Sequence, residues 1–217
     1  MNPELFSIPI SAEIGSVSAE LAVPEKMKAV IVLAHGAGAN MNHRFMVTLS
    51  AALSANHIGA MRYNFPYMEQ GKKRPDVPVV AHKAVATVVQ KTYELFPDTN
   101  LFVAGKSFGG RMSSQYLSIK TPEFVKGIIF YGFPLHPAGE PSITRAEHLK
   151  KIKIPMLFLQ GTRDALAEKE LIKNVCENLS TATLAMFEGA DHSFKSGKKE
   201  VIEDLADRTN QWIDKLV

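Results

Sequence analysis

The chain has 217 residues, 46% hydrophobic and 22% charged, with a formal net charge of +3. That balance predicts one globular domain over 1–217 with a sizeable core, and it excludes a disordered chain. Basic residues are scattered apart from Lys72-Lys73-Arg74 and Lys195 to Lys199, and no aromatics interleave them. Nucleic acid is therefore not an expected partner. No apolar run nears the roughly 20 residues of a membrane helix, so no membrane is expected either. The lone Cys176 excludes an internal disulfide and fits a reducing compartment. The first ten residues lack a basic start and are broken by prolines, so they do not read as a signal peptide, and a cytoplasmic protein is expected.

Along the chain, Ser16 to Val23 alternates as an edge strand. Ala29 to Ala34 reads as a buried strand, Met41–Ala55 as a helix, Ile58 to Tyr63 as a strand, and Val79 to Phe96 as a long helix stopping before Pro97. A strand at 101–104 and a helix at 109–119 follow, then strands Gly127 to Tyr131 and Met156 to Leu159. A helix at 168–178, a strand from Thr183 to Met186 and a helix at 199–216 complete the order. The last helix carries an apolar stripe of Ile202, Leu205, Trp212, Ile213 and Leu216. Strands alternating with helices predict an α/β domain with a doubly wound, mostly parallel sheet flanked by helices.

Residues 101–112 run as an apolar strand into Gly105-Lys106-Ser107-Phe108-Gly109, then a helix. Gly-x-Ser-x-Gly at a strand-to-helix turn is the form of a nucleophile elbow with Ser107 at its tip. A phosphate loop would need glycine at position 100, where Asn100 stands, and a polar loop where Leu101 to Ala104 run apolar. Asp164 follows the strand Met-Leu-Phe-Leu-Gln, and His192 follows the strand Thr-Leu-Ala-Met-Phe. Ser107, Asp164 and His192 thus lie in the order serine, acid, histidine, each just past the carboxyl end of a predicted strand, where open α/β sheets place their sites. The pattern predicts a serine nucleophile, a general base and a carboxylate that orients it. Asp191 adjoins His192 and reads as a loop residue.

Upstream, His35-Gly36-Ala37-Gly38 follows the strand ending at Ala34. In this order of parts, the Ala37 and Phe108 N–H groups are the expected oxyanion donors. His35, His43, Arg62, Tyr63 and Asn64 are candidates for substrate contact. For His35 the alternative is a ring that pins its loop, and for Arg62 an internal ion pair. His57, His82, His136 and His148 lack metal-ligand spacing, so neither metal nor cofactor is expected. The connection from Gly132 to Pro155, with Pro134, Pro137, Gly139 and Pro141, leaves room for one short helix and no lid domain. An open, shallow site for small or exposed acyl groups is the expectation.

The chain resembles small serine α/β-hydrolases of the dienelactone hydrolase-like superfamily, within it the testis-expressed-protein-30-like group. The carrying segments are His35-Gly36-Ala37-Gly38 with His43, Arg62-Tyr63-Asn64-Phe65-Pro66-Tyr67, Gly105 to Arg111, Gln160-Gly161-Thr162-Arg163-Asp164 and Gly189 to Phe194. The resemblance implies an α/β-hydrolase fold and hydrolysis of a small-molecule ester or thioester through an acyl-enzyme. Dienelactone hydrolases proper carry a cysteine nucleophile, whereas this elbow carries serine. Some members of the closest group resemble regulatory subunits, which leaves a catalytically silent binding module as the alternative function.

Overall fold

In the computed structural model, which describes residues 4–197 and 199–217, the chain opens on a hairpin of β1 (Glu4–Ser11) and β2 (Gly15–Ala22). Strands and helices then alternate: β3 (Ala29–Ala34), α1 (Arg44–Ala55), β4 (Ile58–Tyr63), the single turn α2 (Pro66–Glu69) and α3 (Pro78–Leu95). Next come β5 (Asn100–Lys106), α4 (Phe108–Ile119) and β6 (Val125–Tyr131), then a 3-10 helix over Thr144–Lys151. The described order closes with β7 (Met156–Gly161), α5 (Lys169–Glu177), β8 (Ala182–Phe187) and α6 (Ile202–Ile213), with a short ladder of Lys195–Ser196 on Lys199–Glu200 before α6.

Eight strands form one sheet in the order β1-β2-β4-β3-β5-β6-β7-β8. The pairs β1–β2 and β2–β4 are antiparallel, and the others are parallel. Because side chains alternate across a strand, the all-apolar central strands feed two cores at once. Val30, Val32, Leu101 and Val103 join the core under α3, α4 and α5. Their neighbours Ile31, Leu33, Phe102 and Ala104 join the core under α1 and α6. Helices on both faces make the sheet doubly wound, as the alternation of elements predicts.

Three sequence expectations shift. The strand read at Ser16 to Val23 is not the edge, because β1 pairs outside it. Pro9 hid β1; it sits in the outermost strand, where a missing N–H breaks no inner ladder, and the register slips between Pro9 and Ser11. The helix read from Met41 begins at Arg44, capped by His43, whose Nδ1 accepts from Phe45 N at 3.2 Å. The final stripe holds at Ile202, Leu205, Trp212 and Ile213, while Leu216 lies past the end of α6 and is 38% exposed.

Candidate active site

Ser107 joins β5 to α4 with φ 50° and ψ −113°, a backbone state costing a non-glycine residue about 1–3 kcal/mol. The strain is held by backbone packing. A Cβ on Gly105 would lie 2.2 Å from Gly110 N, and one on Gly109 would lie 2.5 Å from Ala34 O. Both positions need glycine for the start of α4 to rest on the ends of β5 and β3. The turn thereby lifts Ser107 Oγ above the carboxyl edge of the sheet.

β7 and β8 bring the other two groups. His192 Nε2 accepts from Ser107 Oγ at 2.8 Å, and His192 Nδ1 donates to Asp164 Oδ2 at 2.7 Å. Asp164 is buried, and its Oδ1 accepts from Leu166 N at 2.8 Å. Gln160, also buried, donates to Asp164 Oδ2 at 2.5 Å and accepts from Phe133 N at 2.9 Å. The two loops touch directly, since a Cβ on Gly161 would fall 2.3 Å from Ala190 O. Asp191 serves its own loop by accepting from Ser193 N and Lys195 N at 2.8 and 3.0 Å. Two residues past His192, Phe194 has φ 61°, is fully buried, and stacks on Phe45 with ring centroids 6.1 Å apart.

The loop after β3 lies over the elbow, with a Cβ on Gly36 placed 3.8 Å from Ser107 Cβ. Among the described residues neither Ala37 N–H nor Phe108 N–H has an acceptor in the chain. Phe108 N–H also opens a helix, where the backbone favours negative charge. The loop is secured from beneath. His35 Nδ1 donates to Gly36 O at 2.8 Å, and His35 Nε2 accepts from Phe65 N at 3.0 Å. Burial pushes the His35 imidazole down to about 4, which keeps it neutral. Tyr67 Oη accepts from Gly38 N at 3.2 Å, and Phe65 packs edge-on against both His35 and Phe108.

Beside Ser107 and His192 opens a cavity of about 580 Å³, lined among others by Ala37, His43, Phe45, Lys106 and Leu166. That volume suits a small-molecule ligand. Its walls come from the start of α1 and the turn after His192 rather than from the segment between β6 and β7. Of the five substrate-contact candidates, His43 lines it. The other four need correcting. His35 is a fully buried loop pin, and Tyr63 is fully buried in the core. Arg62, 4% exposed, bonds to Glu20 and to Met41 O. Asn64 accepts from Met41 N and donates to Glu69. His35, Arg62 and Asn64 spend polar groups inside the fold, while the Tyr63 hydroxyl is buried without a hydrogen-bond partner among the described residues.

Two side chains at the site escaped the sequence reading, Gln160 and Lys106. Both are polar residues at the end of an otherwise apolar strand, and that interruption is a readable signal. Among the described residues no group of three His, Cys, Asp or Glu side chains could hold a metal ion, and no helix is long and apolar enough to cross a membrane.

A sheet of this order, wound on both faces with a strained serine turn on a central strand, defines the α/β-hydrolase class of fold. The chain belongs to the family described as Alpha/beta hydrolase domain, which matches residues 27–215. It is similar to an alpha-beta serine hydrolase homologue from Coxiella burnetii, with 22% identity, TM-score 0.78, and 96% of this chain and 98% of that one covered. A serine hydrolase without a lid from Xanthomonas campestris matches at 18% identity and TM-score 0.77, covering 99% and 95%. A dienelactone hydrolase from Anabaena variabilis matches at 15% identity and TM-score 0.77 over the full length of both chains.

Proposed function

We propose that this protein is a serine-dependent carboxylic ester or thioester hydrolase acting on small or exposed acyl groups through an acyl-enzyme. The observation that carries the proposal is the continuous row from Ser107 Oγ through His192 to Asp164 at 2.8 and 2.7 Å, beside two open N–H groups. His192 Nε2 takes the Ser107 proton as Oγ attacks the acyl carbonyl. Asp164 holds the imidazole tautomer and stabilises the imidazolium. The Ala37 and Phe108 N–H groups receive the tetrahedral oxyanion, where one such donor is typically worth about 3–4 kcal/mol. His192 then hands its proton to the leaving group, and water, deprotonated by the same histidine, clears the acyl-enzyme. The reaction uses no cofactor. Within the hydrolases, the segments quoted above favour kinship with the testis-expressed-protein-30-like group.

The test is labelling with a fluorophosphonate probe, wild type beside Ser107→Ala, followed by p-nitrophenyl esters from acetate to palmitate. Labelling that disappears in Ser107→Ala, with turnover greatest for short chains, is expected. A folded wild type that neither labels nor turns over any ester would replace this reading with that of a binding module built on the hydrolase fold.

A further inference from the structure

Lys106 is the residue immediately before the nucleophile, and its side chain is half-buried in the cavity wall, where its ammonium finds partners inside the fold. Lys106 Nζ donates to the backbone carbonyl of His192 at 2.7 Å. It stands 5.6 Å from the Phe194 ring centroid and 5.9 Å from that of Phe45. A Cβ on Gly132 would lie 3.2 Å from it, so the turn after β6 packs against it on another side. The cation thus ties the strand that carries Ser107 to the main chain of the residue that must receive the serine proton.

We propose that Lys106 is a positioning residue, an ionic clamp that sets the distance between Ser107 Oγ and His192 Nε2 by holding the His192 carbonyl. The inference rests on the serine-hydrolase reading above. The clamp is strongest when charged, because a hydrogen bond from an ammonium is roughly twice as strong as one between neutral groups. Its charge is held in a contest. Burial pushes the Lys106 amine down to about 8, against the pull of Asp164 and Asp191 from the loops after β7 and β8. α1 presents the Phe45 ring, while His43, Arg44 and Lys195 share the wall of the same cavity. A clamp that loses its proton near pH 8 loosens just above neutrality.

The experiment compares wild type with Lys106→Met, which keeps the apolar stem and removes the donor and charge. With p-nitrophenyl acetate, kcat in the variant is expected to fall about 10- to 100-fold with KM little changed, because a small displacement of a proton acceptor costs rate rather than binding. The wild-type rate is expected to decline on the alkaline side through pH 8, and the variant to lack that decline. A second measurement follows the low-field proton of the His192–Asp164 hydrogen bond by NMR in wild type from pH 6 to 10. That signal should shift through the same pH range, and the observation requires neither turnover nor a foldable variant. A wild-type rate and proton signal both flat across pH 8, or a variant with unchanged kcat, would overturn the clamp. Absent fluorophosphonate labelling at every pH would instead sink the hydrolase reading, while the proton signal still decides the clamp.

Discussion

Gln160 Nε2 and Asp164 Oδ2 are 2.5 Å apart, and that same oxygen holds His192 Nδ1 at 2.7 Å. The buried carboxylate is therefore pinned from two sides, while Phe133 N–H fixes the far end of the amide at 2.9 Å. Gln160→Met fills the space without either bond and leaves Phe133 N–H unpaired. It is expected to lower stability by about 1–3 kcal/mol, the usual cost of a buried unsatisfied group. Urea unfolding measures that loss. Ester turnover should fall with it, because Asp164 becomes free to turn from the imidazole.

The strain at Ser107 should be recoverable as stability. Ser107→Gly relieves a backbone state worth about 1–3 kcal/mol and pays roughly 0.5–1 kcal/mol in chain entropy. A net gain of about 1 kcal/mol in urea unfolding is expected, with loss of fluorophosphonate labelling. Ser107→Ala should abolish labelling equally and gain nothing, since alanine keeps the strain.

Gly161→Ala tests the contact between the two loops. Its Cβ would press on Ala190 O at 2.3 Å, a backbone atom that cannot swing aside. The loops bearing Asp164 and His192 must part to admit it. A stability loss above about 3 kcal/mol is expected, in the range set by disrupted core packing. Any folded fraction should show kcat reduced more than KM is raised.

Much of this site was legible because its parts are punctuated locally. Ser107, Asp164 and His192 each follow an apolar run, and the glycines of the elbow stand beside the nucleophile. Among the substrate-contact candidates, Arg62 turns inward for a nonlocal reason. Arg62 faces Glu20 directly across the antiparallel pairing of β2 with β4, and the two residues are 42 apart in sequence. Nothing near Arg62 announces that partner. The strand β1 was hidden by a different rule, since proline argues against an inner strand but is tolerated at a sheet edge. Gln160 and Lys106 could have been found, because a lone polar residue ending an apolar strand must bond to something.

Acid should weaken the fold through two histidines. Burial pushes both His35 and His148 down to about 4 from an ordinary value near 6.5. Between those values the unfolded chain binds protons that the folded chain refuses, so stability falls as pH drops from 6.5 toward 4. The urea midpoint should track that fall. His148 bonds Ser114 Oγ at 2.7 Å, away from the cavity, so His148→Asn should flatten part of the slope while leaving ester turnover at pH 7 near wild type. His35→Asn should flatten the slope too and also slow turnover, because it unpins the loop that carries Ala37.

Phe194 couples the candidate site to one side of the interior. It lies two residues beyond His192 and is packed against Phe45 from α1 and Phe187 from the end of β8. The proposed base therefore hangs from an aromatic plug seated in the layer under α1 and α6, and Phe45 belongs to that layer and to the cavity wall alike. An exchange of one hydrophobe for another under α1 would therefore move the proposed base as well as change the fold's stability.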